Sequence, residues 1–423
     1  MAHRGISGSP QVNIQTPSAG GVSHNTYSQF DVGNKGVILN NAHNNVQTQL
    51  GGMVAGNPWL AKGEARIILN EVNSRNPSQL NGFVEVAGKK AQVVIANPAG
   101  ISCDGCGFIN ANRATLTTGQ PQMKNGSLTG FSVERGEIQI TGKGMDASRT
   151  DYTDIIARSV KINAGIWAQD LKVTTGRNNV DIAHGQTEKK AADASSQPQV
   201  ALDVSSLGGM YAGKIRLVGT ETGVGVRNAG HIGAEAGAVT LTADGRIENS
   251  GSISAKTDVH LATTRELHNS GAVYAGQDTQ IQSNGVFTHT GSVASRRNTR
   301  IQTARLTGGE RSLLAAGVKD DGRLAAAGNL TVSTTGELTA HGQVLSGGDM
   351  QLKGQGLDLS NSRIQGQHTE LDATSGNLST QNVQLSAGTL SARTAGQFSN
   401  NDGTINADTL QISAQSLSNH RGK

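Results

Sequence analysis

The sequence predicts an all-β chain wound as a right-handed parallel β-helix, a β-solenoid with about 20-residue coils. Three observations carry this. A motif returns at a fixed step: Ile247-Glu248-Asn249-Ser250-Gly251-Ser252-Ile253, then Leu267-His268-Asn269-Ser270-Gly271-Ala272-Val273, then Phe287-Thr288-His289-Thr290-Gly291-Ser292-Val293. Leu241, Leu261, Ile281 and Ile301 keep the same step. The chain is poor in core-forming residues, at 35% hydrophobic and 3% aromatic, yet short alternating apolar runs persist throughout. A solenoid needs only two or three small inward residues per coil face, so this composition suffices for it where a globular core would fail. Helical periodicity is weak, whereas strand-like runs bounded by Asn, Gly and Pro recur.

Residues 11–185 hold the first strands: Val37-Ile38-Leu39, Ala65-Arg66-Ile67-Ile68-Leu69, Phe83-Val84-Glu85-Val86, Gln92-Val93-Val94-Ile95 and Glu137-Ile138-Gln139-Ile140. Small β elements outside the helix are expected near the N-terminus. The stretch 185–199, with Glu188-Lys189-Lys190 and an Ala/Ser run ending at Pro198, reads as a flexible insertion loop. From about Gly223 the repeats take over, beginning with Val226-Arg227-Asn228-Ala229-Gly230-His231-Ile232. Beyond residue 305 the step loosens, with Leu338, Leu357, Leu378, Phe398 and Leu417 marking successive coils. The repeated Gly and Asn suit tight corners that need left-handed backbone. Stacked Asn side chains can also hydrogen-bond from coil to coil, as in cross-β amide ladders. No capping sequence follows Leu417, so the shaft is expected to continue past Lys423.

Charge and motifs exclude several function classes. The formal charge of +4 comes from 36 basic and 32 acidic residues that are interspersed, without a Lys/Arg block. That is a solvated mixed surface, and no nucleic-acid partner is expected. No apolar stretch approaches the roughly 18 residues of a membrane span. The opening Met1-Ala2-His3-Arg4-Gly5 has no h-region, so the chain as given is expected to carry no signal peptide. The eleven histidines, among them His24, His43, His184, His231 and His260, are scattered without metal-ligand spacing, and exposed or strand-face roles are expected for them. No metal or cofactor is expected. Asp151 with Asp154, and Asp320 with Asp321, are the nearest to paired carboxylates, but no acid recurs at the repeat step to line a glycosidase-like groove. Neither a P-loop nor a dinucleotide fingerprint occurs. No catalytic residue is assigned, and the chain is expected not to be an enzyme. Cys103 and Cys106 form a C-x-x-C that lacks the βαβ setting of a redox pair and the further ligands of a zinc site. A local disulfide and free thiols both remain open.

Two Asn-Pro turns, Asn57-Pro58-Trp59-Leu60 and Asn97-Pro98-Ala99-Gly100-Ile101, end strand runs. The second leads into Cys103-Asp104-Gly105-Cys106-Gly107-Phe108-Ile109-Asn110 and Arg113-Ala114-Thr115-Leu116-Thr117-Thr118-Gly119. Together with Gly20-Gly21-Val22-Ser23-His24-Asn25, Phe30-Asp31-Val32, Tyr211-Ala212-Gly213-Lys214-Ile215 and Gly223-Val224-Gly225-Val226-Arg227, this ordered set resembles the haemagglutination-activity domain of two-partner secretion exoproteins. Filamentous haemagglutinins and contact-dependent growth inhibition effectors carry that domain, and the later repeats resemble their haemagglutinin repeats.

The resemblance implies a secretion domain over residues 1–230 and a haemagglutinin-repeat shaft over 231–423. It implies export through the periplasm and an outer-membrane partner transporter with receptor domains and a β-barrel, the chain crossing unfolded and folding outside. The full-length protein is then expected to be secreted or surface-exposed, as an adhesin or a toxin-delivery stalk that meets a receptor on a host or neighbouring cell. A cytolysin of the same secretion family and a polysaccharide-active β-helix enzyme are the other readings. The residues carried over as transporter-recognition turns are Asn57, Pro58, Leu60, Asn97, Pro98, Gly100 and Ile101, with a purely folding role as the alternative. The family's third-place Asn is replaced by Trp59 and Ala99, which leaves Trp59 to pack on the domain. Transit through an oxidising periplasm favours the Cys103–Cys106 disulfide.

Overall fold

A computed structural model describes the backbone of residues 2–4 and the whole of residues 8–423. The rest of the opening run, Met1 and Gly5, lies outside the described residues. The chain divides into two compact units, Met1–Glu235 and Ala236–Lys423. Each is a parallel β-solenoid, and the single helical element among the described residues is a 3-10 turn at Pro58–Leu60.

In the first unit, inward apolar residues stack in register from coil to coil. Ile68, Val93, Ala114, Thr153, Leu171 and Ile215 form one such column. Ile101, Ile138, Val160, Leu202 and Val226 form a second, and Cys106, Met145, Ile166, Met210 and Ile232 a third. The aliphatic members of these columns are buried almost completely. Full burial of one such side chain contributes about 1.5–3 kcal/mol, an upper figure for a real unfolded chain. The columns therefore supply the core that composition alone conceals.

Extra-helical β elements decorate this unit. A hairpin pairs Val46–Thr48 with Gly52–Val54. A four-stranded antiparallel sheet joins Gln120–Lys124, Ser127–Val133, Asn178–Asp181 and Thr187–Lys189. Its Leu128, Phe131, Val133 and Val180 pack on the outer face of the solenoid against Leu69, Val94, Ala96 and Ile156. That cover explains why Val93–Ala96 is a continuous apolar run, buried on both faces.

The expected flexible loop 185–199 is corrected on two points. Thr187–Lys189 is a strand of the antiparallel sheet. Further on, Ser195 Oγ accepts from Arg158 Nη1 at 2.8 Å, and the Asp193 carboxylate lies 3.1 Å from Arg177 Nη2. Both arginines are buried, and Arg158 also faces Glu221 at 2.7 Å. The loop thus supplies the counter-charge of Arg177 and a hydroxyl to Arg158, whose charge Glu221 matches.

The second unit keeps the repeat over its whole length. Leu241, Leu261, Ile281, Ile301, Val332, Leu352 and Leu371 form one column. Ile247, Leu267, Phe287, Leu306, Leu338, Leu357, Leu378, Phe398 and Leu417 form another. The long step from Leu306 to Leu338 comes from an insertion over 317–329, which carries an antiparallel bridge between Val318 and Leu324. The ladder crosses it unbroken: Asn329 N donates to Asn298 Oδ1 at 2.9 Å across a separation of 31 residues.

The corner glycines have a different cause from the one expected. Gly271 and Gly291 are not left-handed. A Cβ on Gly271 would lie 2.0 Å from Gly251 O, and one on Gly291 2.0 Å from Gly271 O. Close stacking of coils, rather than backbone handedness, demands them. The left-handed corners fall to Asn361, Asn382 and Asp402 in later coils. The amide ladder is present inside the unit, where Asn249 Nδ2 donates to Asn269 Oδ1 at 2.9 Å. His289 takes the next rung, its Nδ1 3.4 Å from Asn269 Nδ2 and its Nε2 2.9 Å from Leu313 O.

Candidate functional site

The two Asn-Pro turns share one construction. Asn57 Oδ1 accepts from Trp59 N at 3.0 Å, while its Nδ2 donates to Ile14 O and Asn40 O at 3.0 and 2.9 Å. Asn97 Oδ1 accepts from Ala99 N at 3.0 Å, while its Nδ2 donates to Asn76 O and Ser78 Oγ at 2.8 and 3.0 Å. Each Asn carbonyl closes the turn three residues on, to Leu60 N and to Gly100 N, both at 3.1 Å. Pro at the second position presets φ, and the Asx bond holds the first. Asn at the first position therefore ties two backbone segments together through three side-chain bonds, a task no apolar residue can do.

Burial separates the candidate residues. Asn57, Leu60, Asn97, Gly100 and Ile101 are buried, Pro58 is exposed and Pro98 is half-buried. Gly100 is in a left-handed conformation with φ +119°. The folded surface therefore presents the prolines and the third-place residues and hides the asparagines. Trp59 is 56% exposed, so the expectation that it packs on the domain does not hold. Its backbone carbonyl instead accepts from Thr16 Oγ1 at 2.8 Å. Cys103 and Cys106, directly after the second turn, are buried and joined by a disulfide with Cα atoms 5.4 Å apart.

A second cluster escaped sequence reasoning. His184, expected on a surface or strand face, is buried beside Asp154 and Thr174. Its Nδ1 is 3.0 Å from Asp154 Oδ1 and its Nε2 is 2.5 Å from Thr174 Oγ1. Thr115 Oγ1 donates to the other Asp154 oxygen at 2.8 Å, with Arg113 Nη1 3.8 Å from it. A hydroxyl, an imidazole and a carboxylate in this order can activate a nucleophile. Here all three are sealed from solvent, so the order serves to dock the antiparallel sheet. Asp151, paired with Asp154 in the sequence reading, is exposed and apart from this cluster. Among the described residues no group of three or more His, Cys, Asp or Glu is placed to hold a metal, and no helix is long and apolar enough to cross a membrane.

The family model of the TPS secretion domain matches residues 4–249, and the haemagglutinin repeat matches residues 236–333, 318–389 and 368–423. The chain belongs to the TPS secretion-domain family, that of two-partner secretion exoproteins, with haemagglutinin repeats following the secretion domain. It is 62% identical over 339 residues to Toxin CdiA of Yersinia pestis, covering 80% of this chain and 10% of that protein. It is 52% identical over 250 residues to tRNA nuclease CdiA-2 of Burkholderia pseudomallei strain 1026b, covering 59% of this chain and 8% of that protein. A crystal structure of a filamentous haemagglutinin secretion domain is similar at 34% identity and a TM-score of 0.58, covering 67% of this chain and 94% of that one. The chain spans about a tenth of the length of the curated relatives it matches.

Proposed function

We propose that this chain directs export of a large exoprotein through a dedicated outer-membrane transporter and begins the shaft that presents its cargo. The carrying observation is the order along the chain: a TPS secretion domain over residues 4–249, followed by haemagglutinin repeats to residue 423. Relatives named as a toxin and as a tRNA nuclease share with this chain only about a tenth of their length. What they hold in common with it serves a shared step, export and presentation, and the chain itself needs no catalytic residue. In the full-length protein the shaft acts as a contact-dependent toxin-delivery stalk or adhesin, at the cell surface or released, against a receptor on another cell.

Residues up to about 230 are the export signal, and the two Asn-Pro turns are its recognition elements. Burial of Asn57 and Asn97 in the fold supports reading of these turns by the transporter's receptor domains before folding, when the asparagines are accessible. The test expresses the chain behind a signal peptide in a Gram-negative host with and without its partner transporter, beside an Asn97→Asp variant. Transporter-dependent release that the variant loses supports the proposal, provided the purified variant refolds. Periplasmic retention with and without the transporter overturns it. In Asn97→Asp a carboxylate replaces the donor 2.8 Å from Asn76 O; refolding in vitro therefore separates a folding defect from a recognition defect.

A further inference from the structure

A carboxamide stands buried against the His184–Asp154 cluster. Gln92 lies on the strand Ala91–Ala96, two residues before Val94, and Val94 pairs in register with Thr115 of the strand Ala111–Thr117. Strand alternation puts Gln92, Val94 and Thr115 on one face. Thr115 pairs in turn with Asp154. Gln92 Nε2 donates to Thr115 Oγ1 at 3.2 Å, and Thr115 Oγ1 donates to Asp154 Oδ2 at 2.8 Å. Gln92, Thr115, Asp154 and His184 are all buried.

The seal that denies this cluster an outside substrate leaves it one inside. The Thr115 hydroxyl has a carboxylate as its proton acceptor and a carboxamide as its other neighbour. A hydroxyl is a weak nucleophile until an adjacent base takes its proton. Asp154 is held in that place from both sides: His184 Nδ1 is 3.0 Å from its Oδ1, and Arg113 Nη1 is 3.8 Å from its Oδ2. Two groups fixed in contact react as one molecule, at a high effective molarity. Burial also keeps out the water that would hydrolyse an acyl product.

We propose that Thr115 and Gln92 join in an intramolecular ester that ties neighbouring coils covalently. The Thr115 hydroxyl passes its proton to Asp154, and Oγ1 bonds to Gln92 Cδ. The bond from Cδ to Nε2 breaks, and the departing nitrogen takes that proton from Asp154 and leaves as ammonia. The carboxylate is regenerated, and the step needs no oxidant, reductant or second substrate. His184 and Arg113 are positioning residues, since each acts through Asp154. The link closes the segment 92–115, which holds the second Asn-Pro turn and the Cys103–Cys106 bridge. The contacts exist only in the folded register, so the ester marks chain that has folded.

The test is mass spectrometry of the purified chain after denaturation and reduction. The wild-type mass is expected to fall short of the sequence mass by one ammonia. Trypsin cuts after Lys90, Arg113 and Lys124, and the peptides Ala91–Arg113 and Ala114–Lys124 are expected to travel as one species that hydroxylamine separates. Thr115→Val and Asp154→Asn are each expected to restore the full mass and two free peptides, while Thr115→Ser, which keeps the hydroxyl, keeps the link. A wild-type chain of full mass with two free peptides overturns the proposal. So does a link that survives Thr115→Val, Asp154→Asn or hydroxylamine. Thr115→Val exchanges the hydroxyl for a methyl group, and an unchanged circular dichroism spectrum separates loss of the nucleophile from loss of the fold.

Discussion

His184 Nδ1 stands 3.0 Å from the Asp154 carboxylate, across a separation of 30 residues, with both side chains sealed from solvent. Asp154 belongs to the solenoid and His184 to the turn between two strands of the antiparallel sheet. Removing Asp154 leaves the buried His184 ring and the Thr115 hydroxyl without that acceptor, which costs about 1–3 kcal/mol per unsatisfied group. In Asp154→Ala, amides of Asn178–Asp181 and Thr187–Lys189 are expected to lose hydrogen-exchange protection before those of Tyr152–Ala157. Equal loss across both regions would place the pair in the global core instead.

His289 gives the repeat unit a pH dependence. Burial lowers its pKa from 6.5 to about 4. The geometry agrees, since a neutral ring accepts from Asn269 at Nδ1 and donates to Leu313 O at Nε2. The unfolded chain binds the proton more readily between those two values, so stability is complete above about pH 6.5 and falls as pH drops toward 4. The loss amounts to about 3 kcal/mol over that window. His289→Asn, which restores the residue type of the two preceding rungs, is expected to flatten this slope in denaturant melts of the chain at pH 4.5 and 7.

Gly271 tests the stacking argument. Its Cβ would meet Gly251 O at 2.0 Å, a backbone atom that moves only if the coils part. Gly271→Ala is expected to cost about 3 kcal/mol, the upper end of the range for overpacking, because the atom it meets is backbone. Gly223→Ala meets nothing within 4 Å but keeps φ at +79°, and so is expected to cost only about 1–2 kcal/mol of left-handed strain. Thermal unfolding of the two variants ranks them, and the reverse order would refute close stacking as the reason for the glycines.

The Cys103–Cys106 bridge closes a very short loop. Chain entropy then gives it about 2 kcal/mol of stabilisation. Unfolding midpoints with and without reductant are expected to differ by that amount in the wild-type chain and to coincide in Cys103→Ala/Cys106→Ala. A reductant effect that persists in the double variant would contradict the assignment.

The repeat was legible in the sequence because its spacing is its structure: Leu241, Leu261, Ile281 and Ile301 are one column of the core. Leu338, Leu357, Leu378, Phe398 and Leu417 likewise share a second. The Asn-Pro turns were legible as turns, but not the burial of Asn57 and Asn97, whose partners Ile14, Asn40 and Asn76 obey no local pattern. His184 was misjudged for the same reason. Its burial is set by a carboxylate 30 residues away and by a sheet built from non-repeating segments. Trp59 looked like a packing residue by type, yet its position beside Pro58 in the turn leaves it outward.

The insertion over 317–329 departs from the step of the repeats, yet Ile301 and Val332 still face each other in register. Alignment in this fold is carried by the strands, and this corner takes extra chain where the Gly251–Gly271–Gly291 corner, closed by backbone contact, does not. Such a shaft behaves like a rail with a fixed gauge, on which a fitting can be mounted at an open corner without disturbing the next coil.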